Sequence, residues 1–157
     1  MWVVIGYLLG MTVDLLRGWW QESGDRLDRR MEGLTDDEYF WEPVAGCWSV
    51  KPDVDRPGRW TYEYEFAPPT PPVTALSWRL VHITADNLIY WEHAFGPGVR
   101  NFPDLPVPST AAAALEAWQA SRQPVTEWLA RAGDGCRGQL QAAVRRPQSV
   151  LVMENWR

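Results

Sequence analysis

Leu9, Val13, Leu16, Trp20, Leu27, Met31 and Leu34 recur at spacings of three, four and seven residues. Those spacings place side chains on one stripe of an α-helix, whereas on a strand they would fall on both faces. The pattern predicts a helix from about Val3 to Glu32, roughly 45 Å long at 1.5 Å per residue. A stripe of that length needs other helices to cover it, so the chain is committed to a mainly α fold. Gly33 can adopt the left-handed conformation that closes a helix, and Leu34 stands where a Schellman motif makes its apolar contact. Thr35 and Glu38 then have the spacing of a capping box, which predicts a short helical turn that Pro43 ends.

From Glu42 to Pro72 proline and glycine are frequent, which predicts a long excursion across the bundle. Within it Trp60, Tyr62, Tyr64 and Phe66 alternate with polar residues, the period of one short strand or hairpin arm with its aromatic side inward. Thr74 can cap a second long helix from Ala75 to Phe95, which Gly96 and Pro97 stop. A third follows Ser109 and Thr110 and runs from Ala111 to Ala132, with Ala111, Leu115, Trp118, Val125, Leu129 and Ala132 inward. Pro124 interrupts that pattern and predicts a kink near Ala120 to Gln123. After Gly133 the periodicity fades, and glycines and arginines cluster around a short stretch from Gln139 to Val144. Residues 133–157 thus form an atypical tail to a single domain spanning 1–157.

The rest of the composition works mainly by exclusion. A net charge of −5 gives no basic field for a nucleic acid, since Arg29 with Arg30 and Arg145 with Arg146 are only small local patches. Lys51 is the sole lysine among the basic residues, which suggests a GC-rich genome and no particular function. Cys47 and Cys136 have no metal-ligand spacing, so reduced thiols in a cytoplasmic setting are expected. Met1 to Val13 is apolar but lacks a basic leader segment and a small-residue cleavage site. It also falls short of the ~20 residues a membrane span requires. The 11 tryptophans predict a bundle with aromatic walls.

The imidazoles are two, His82 and His93, so a site of three histidines is excluded for this chain. His82, Asp86 and His93 share one helical face, but His93 lies eleven residues from His82, on the order of 16 Å along the axis. One metal ion cannot bind both on a straight helix. His82 with Asp86 is an i, i+4 pair, able to ligate a metal or to act as an imidazole oriented by a carboxylate. A half-buried core histidine between Val81 and Ile83 is the competing reading. His93 beside Glu92 reads as a cation favoured by the helix C-terminus. No GxSxG elbow is present, and Ser49, Ser77 and Cys47 have no activating neighbour in sequence. Glu63 and Glu65 read as the solvated edge of the extended segment.

The strings LTDDEYFWEPVAGCWSV at Leu34 to Val50 and VTALSWRLVHITADNLIYWEHAFG at Val73 to Gly96 resemble the DinB superfamily, in the branch common among actinobacteria. The order of parts matches: a first helix, a short turn, a long loop holding the tryptophan-serine pair Trp48 and Ser49, then a helix with a histidine, here His82. The resemblance implies an up-down-down-up four-helix bundle with a long loop between helices one and two. It implies a divalent metal, zinc or nickel, held by that histidine and an HxxxH pair on the fourth helix. It also implies thiol-dependent transfer or isomerisation with bacillithiol, mycothiol or glutathione. The chain departs where the fourth helix should develop, since no HxxxH follows His93. The expectation is a short or incomplete fourth helix, a truncated or frame-shifted end, and a metal site reduced to His82 and Asp86. The alternative is a non-catalytic module that binds a small apolar molecule or pairs with a second copy as a homodimer.

Overall fold

The computed structural model describes residues 2–65 and 68–132, with side chains from residue 13 onward. The atypical tail at 133–157, the expected fourth helix, Cys136 and Phe66 lie outside the described residues. Within them, α1 spans Trp2–Met31, α2 Asp36–Tyr39, β1 Val50–Pro52, β2 Trp60–Tyr62, α3 Leu76–Phe95 and α4 Ala111–Arg131. The three long helices thus match the expected ranges to within a residue at each end. No described helix is long and apolar enough to cross a membrane.

The closest packing is between α3 and α4, and small residues permit it. Ser77 on α3 and Ala111, Ala114 and Ser121 on α4 are almost wholly buried, so the two backbones approach with little between them. Asn87 donates to Ser121 Oγ at 3.1 Å, and that hydroxyl donates to the Trp118 carbonyl at 2.7 Å. Tyr39, Leu80, Ala111, Ala114 and Trp118 form the core, with Leu27, Leu34, Ile83 and Leu115 packed around it. The α2 turn has the predicted capping box at Thr35 and Glu38. It also tethers the start of α4, because Asp36 accepts a hydrogen bond from the Ala111 N–H at 2.7 Å.

Several expectations need correction. Thr74 does not cap α3. Its hydroxyl accepts from Arg79 Nε at 2.8 Å instead, and the helix begins one residue later with Ala75 as an N-cap lacking a side-chain bond. Thr110, by contrast, does cap α4 by accepting from the Ala113 N–H at 3.2 Å. The α4 helix continues unbroken through Pro124. Tertiary packing holds that turn: the Arg122 guanidinium lies over the Trp20 and Trp118 rings at 5.6 and 5.3 Å. It also donates to the Trp20 carbonyl and to Asp28.

On α1 the face turned to α4 is displaced from the apolar stripe. Val13 and Gly24 are buried, Arg17 donates to the Leu129 carbonyl, and Asp28 accepts from Trp118 Nε1 at 2.9 Å. Leu16 lies roughly 100° around the helix from Arg17 and roughly 80° from Gly24 at 100° per residue, and it is exposed. Trp20 and Leu115, expected inside, are half-buried, as is Trp78 on α3. Gly24 is buried under the Arg122 guanidinium, on which a Cβ there would fall.

Candidate functional site

The site is built on the first half of α3 and on the excursion that crosses it. Strands β1 and β2 pair antiparallel, with Val50 opposite Tyr62 and Pro52 opposite Trp60, so the aromatic alternation belongs to a hairpin. The hairpin is fastened to α3 at its base. The Trp48 N–H donates to the Val73 carbonyl at 2.9 Å, the Ala75 N–H donates to the Trp48 carbonyl at 2.8 Å, and the buried Ser49 and Ser77 hydroxyls meet at 3.3 Å. Trp48 and Ser49, the pair singled out by the resemblance, therefore position the loop.

Glu63 was expected to face water and does not. It is half-buried, accepts from the Ser49 N–H at 2.9 Å and pairs with Lys51. Its carbonyl accepts from Trp78 Nε1 at 2.6 Å. Glu65 is exposed, as expected. Trp78 is thus held from both sides, by that bond and by Trp48 at 5.9 Å between ring centroids.

The Trp78 ring provides the surface against which His82 lies. The two stack at 4.6 Å between centroids and 21° between planes, and Tyr64 stacks on the imidazole at 6.4 Å. Asp86, one turn along, brings Oδ2 to 3.6 Å from His82 Nε2. That is an ion-pair distance and longer than a hydrogen bond. The two side chains are 29% and 34% exposed, so the pair sits at the edge of the fold, reachable from outside. Burial pushes the Asp86 carboxyl above the ordinary aspartate value, and the positive charge His82 can carry opposes that shift only in part. His82 Nδ1 is buried and has no hydrogen-bond partner.

His93 is on the same face but belongs to another cluster, where its Nε2 meets the Arg100 carbonyl at 2.9 Å. Cys47 is buried as a free thiol. Tyr62, Tyr64 and Trp78 were not expected at the site. Tyr64 and Trp78 are neighbours of His82, and Tyr62 packs on Trp78 at 6.3 Å between centroids; the tyrosines are there only because the hairpin crosses α3, which no local spacing announces.

The donor set can be tested against the zinc or nickel that the resemblance implies. Among the described residues no three histidine, cysteine, aspartate or glutamate side chains are grouped so as to hold an ion. The sequence supplies one further histidine, eleven residues along the same helix. Two donors among the described residues leave half of a four-coordinate shell unfilled, and with two histidines in the sequence the chain does not fit a closed three-histidine site. What the pair can do without a metal is accept a proton at His82 Nε2 and stabilise the resulting charge with the Asp86 carboxylate beside it.

In comparisons with known proteins, the family model described as the DinB superfamily matches residues 20–156. That range takes in α1 from Trp20, both other long helices and the tail beyond them. Neither the curated proteins nor the solved structures give a match.

Proposed function

The chain belongs to the DinB superfamily, and on that premise we propose that it is a small-molecule-binding protein related to the metal-dependent thiol transferases, with the His82–Asp86 pair as its polar centre. The observation that supports this reading is the state of His82. Its ring is stacked on Trp78, one nitrogen is buried without a partner, and the other faces a carboxylate across a gap too long for a hydrogen bond. A histidine serving the core alone is normally satisfied at both nitrogens when buried. Here the unmet hydrogen-bonding capacity belongs to a side chain that is 29% exposed beside aromatic surface, the usual composition of a ligand site.

A low-molecular-weight thiol fits that edge. Its S–H would donate to His82 Nε2, and transfer of that proton would leave a thiolate beside an imidazolium stabilised by Asp86. Zinc or nickel would find two protein ligands there among the described residues, so binding of either is expected to be weak. The experiment is an NMR titration of the two histidine rings with glutathione and, separately, with zinc chloride or nickel chloride. The expected result is movement of the ring signals that disappear in His82→Gln, with those of His93 unmoved. Signals of His82 that stay fixed with every additive in the millimolar range would sink the proposal.

One observation favours self-association as a second reading. Leu15, Leu16 and Trp19 stand on one side of α1 and are 50%, 41% and 62% exposed, a contiguous apolar patch of the kind that pairs subunits. Light scattering on a sizing column tests it: a dimer that Trp19→Arg converts to monomer supports this reading, and a wild-type monomer at high concentration removes it.

A further inference from the structure

A cleft of about 370 Å³ opens between the β1–β2 hairpin and the segment from Phe102 to Ser109, within the range of roughly 300–1,000 Å³ usual for small-molecule sites. Trp60, Phe102, Leu105 and Val107 give it apolar walls, and Arg56 and Arg59 stand on its hairpin side. A recess of about 50 Å³ shares Tyr62, Phe102 and Leu105 with the cleft and reaches α3 at Val81, Thr84 and Leu88. His82 and Asp86 line neither space.

The recess holds two hydroxyls that packing does not explain. Tyr62 Oη and Thr84 Oγ1 are buried without a hydrogen-bond partner, and Thr84 as a whole is 8% exposed. Leaving a buried hydroxyl unpaired is unfavourable, and phenylalanine and valine would fill the same volumes without that penalty. Burial, with a smaller effect of the Asp86 charge, pushes the Tyr62 phenol up to about 12, so it stays a proton donor at neutral pH. At the mouth the two cations differ. Arg56 is paired with Asp53 at 2.6 Å, while the Arg59 guanidinium has no ion-pair or hydrogen-bond partner among the described residues. One free cation outside, apolar walls between, and two free hydroxyls inside define a ligand.

We propose that this cleft binds a small monocarboxylate with a flat apolar body, its carboxylate on Arg59 and a hydroxyl or carbonyl oxygen at its far end on Tyr62 and Thr84. The site does not depend on the His82–Asp86 reading. Arginine suits a carboxylate because its planar fork offers parallel donors. A carbonyl or hydroxyl oxygen in the recess can accept from both protein hydroxyls, which supplies the partners they lack in the free protein.

The test is calorimetric titration of the full chain with 4-hydroxyphenylacetate, its neutral analogue 4-hydroxyphenylacetamide, and phenylacetate, which lacks the far oxygen. The hydroxylated acid is expected to bind best, with the amide weaker by about tenfold or more. Arg59→Gln, an exposed change that cannot disturb the core, should abolish the preference for acid over amide. Tyr62→Phe and Thr84→Val should each weaken the hydroxylated acid by roughly threefold to tenfold while leaving phenylacetate unchanged. Their melting temperatures should hold or rise, because an unpaired buried hydroxyl has gone. His82→Gln should bind the acid as wild type does, which separates failure of this cleft from failure of the histidine site. No heat with any of the three compounds at millimolar concentration would overturn the proposal. Equal affinity for acid and amide in the wild type, or hydroxyl variants that bind as the parent does, would overturn it as well.

Discussion

Asp86 and Glu92 stand six residues apart on α3, and their carboxyls are shifted in opposite directions. Glu92 has a side chain only 7% exposed against 34% for Asp86, and burial alone would raise both carboxyls. Glu92 nevertheless lies below the ordinary glutamate range, chiefly because the Arg100 N–H donates to it. The Arg100 guanidinium and the Val99 N–H add to the effect. Asp86 has His82 at 3.6 Å and is raised. The difference teaches how to tell a carboxylate used for the fold from one free for chemistry: the first is saturated by hydrogen bonds, and the second is left to the effect of burial.

That contrast can be broken in four places. Trp78→Ala removes the surface on which His82 rests together with the bond to the Glu63 carbonyl. It should lower stability by about 3 kcal/mol, the low end for a tryptophan truncation because the ring is half-buried. Urea unfolding measures the loss, and a variant as stable as the parent would show that Trp78 does not organise this region. Glu92→Ala should cost about 2 kcal/mol, since it strands two backbone donors and a guanidinium. Because the Glu92 carboxyl is lowered in the fold, its contribution is present above the ordinary glutamate value and fades as pH falls through the folded one. A Glu92→Ala penalty that is the same at pH 3 and pH 7, read from parallel unfolding curves, would contradict the assignment.

Asp86→Asn should behave in the opposite sense. A raised carboxyl favours the fold while protonated and weakens it as pH climbs past the ordinary aspartate value. The variant should therefore match wild type in acid and equal or exceed it near neutrality. A clear loss of stability in the variant near neutrality would show that Asp86 is as much a structural residue as Glu92. The smallest effect is expected for His82→Phe, which keeps a flat ring for Trp78 and Tyr64 and removes the unpaired Nδ1. Its melting point should stay within about 1 kcal/mol equivalent of wild type, on the stabilising side.

What could be read in the sequence divides along the same line as local and distant contacts. The helix ranges, the Thr35 and Glu38 box and the His82–Asp86 pair are set by residues a few positions apart, so spacing alone reveals them. Thr74 misled because a helix cap competes with any other donor in reach, and Arg79 Nε reached it first. Glu63 looked solvated because its partners, Ser49 and Lys51, come from the opposite hairpin strand. The Tyr62 and Thr84 hydroxyls were invisible for the same reason. They converge only after the hairpin and the segment at 102–109 close over α3. On α1 the apolar stripe was legible, but which edge of it met α4 was decided by Gly24 and Arg122, a contact between residues 98 positions apart in the chain.

A slide of α1 along α4 by one turn, about 5.4 Å, would bring Trp20 or Asp28 to the place Gly24 now occupies over the Arg122 guanidinium, and neither side chain leaves room for it. The surrounding contacts on this face, through Arg17, Trp20 and Asp28, are long and adjustable and could follow such a slide. The glycine cannot, so the notch acts as a detent that fixes the axial setting of the two helices. Alignment across the bundle is in that sense encoded by one absent methyl group.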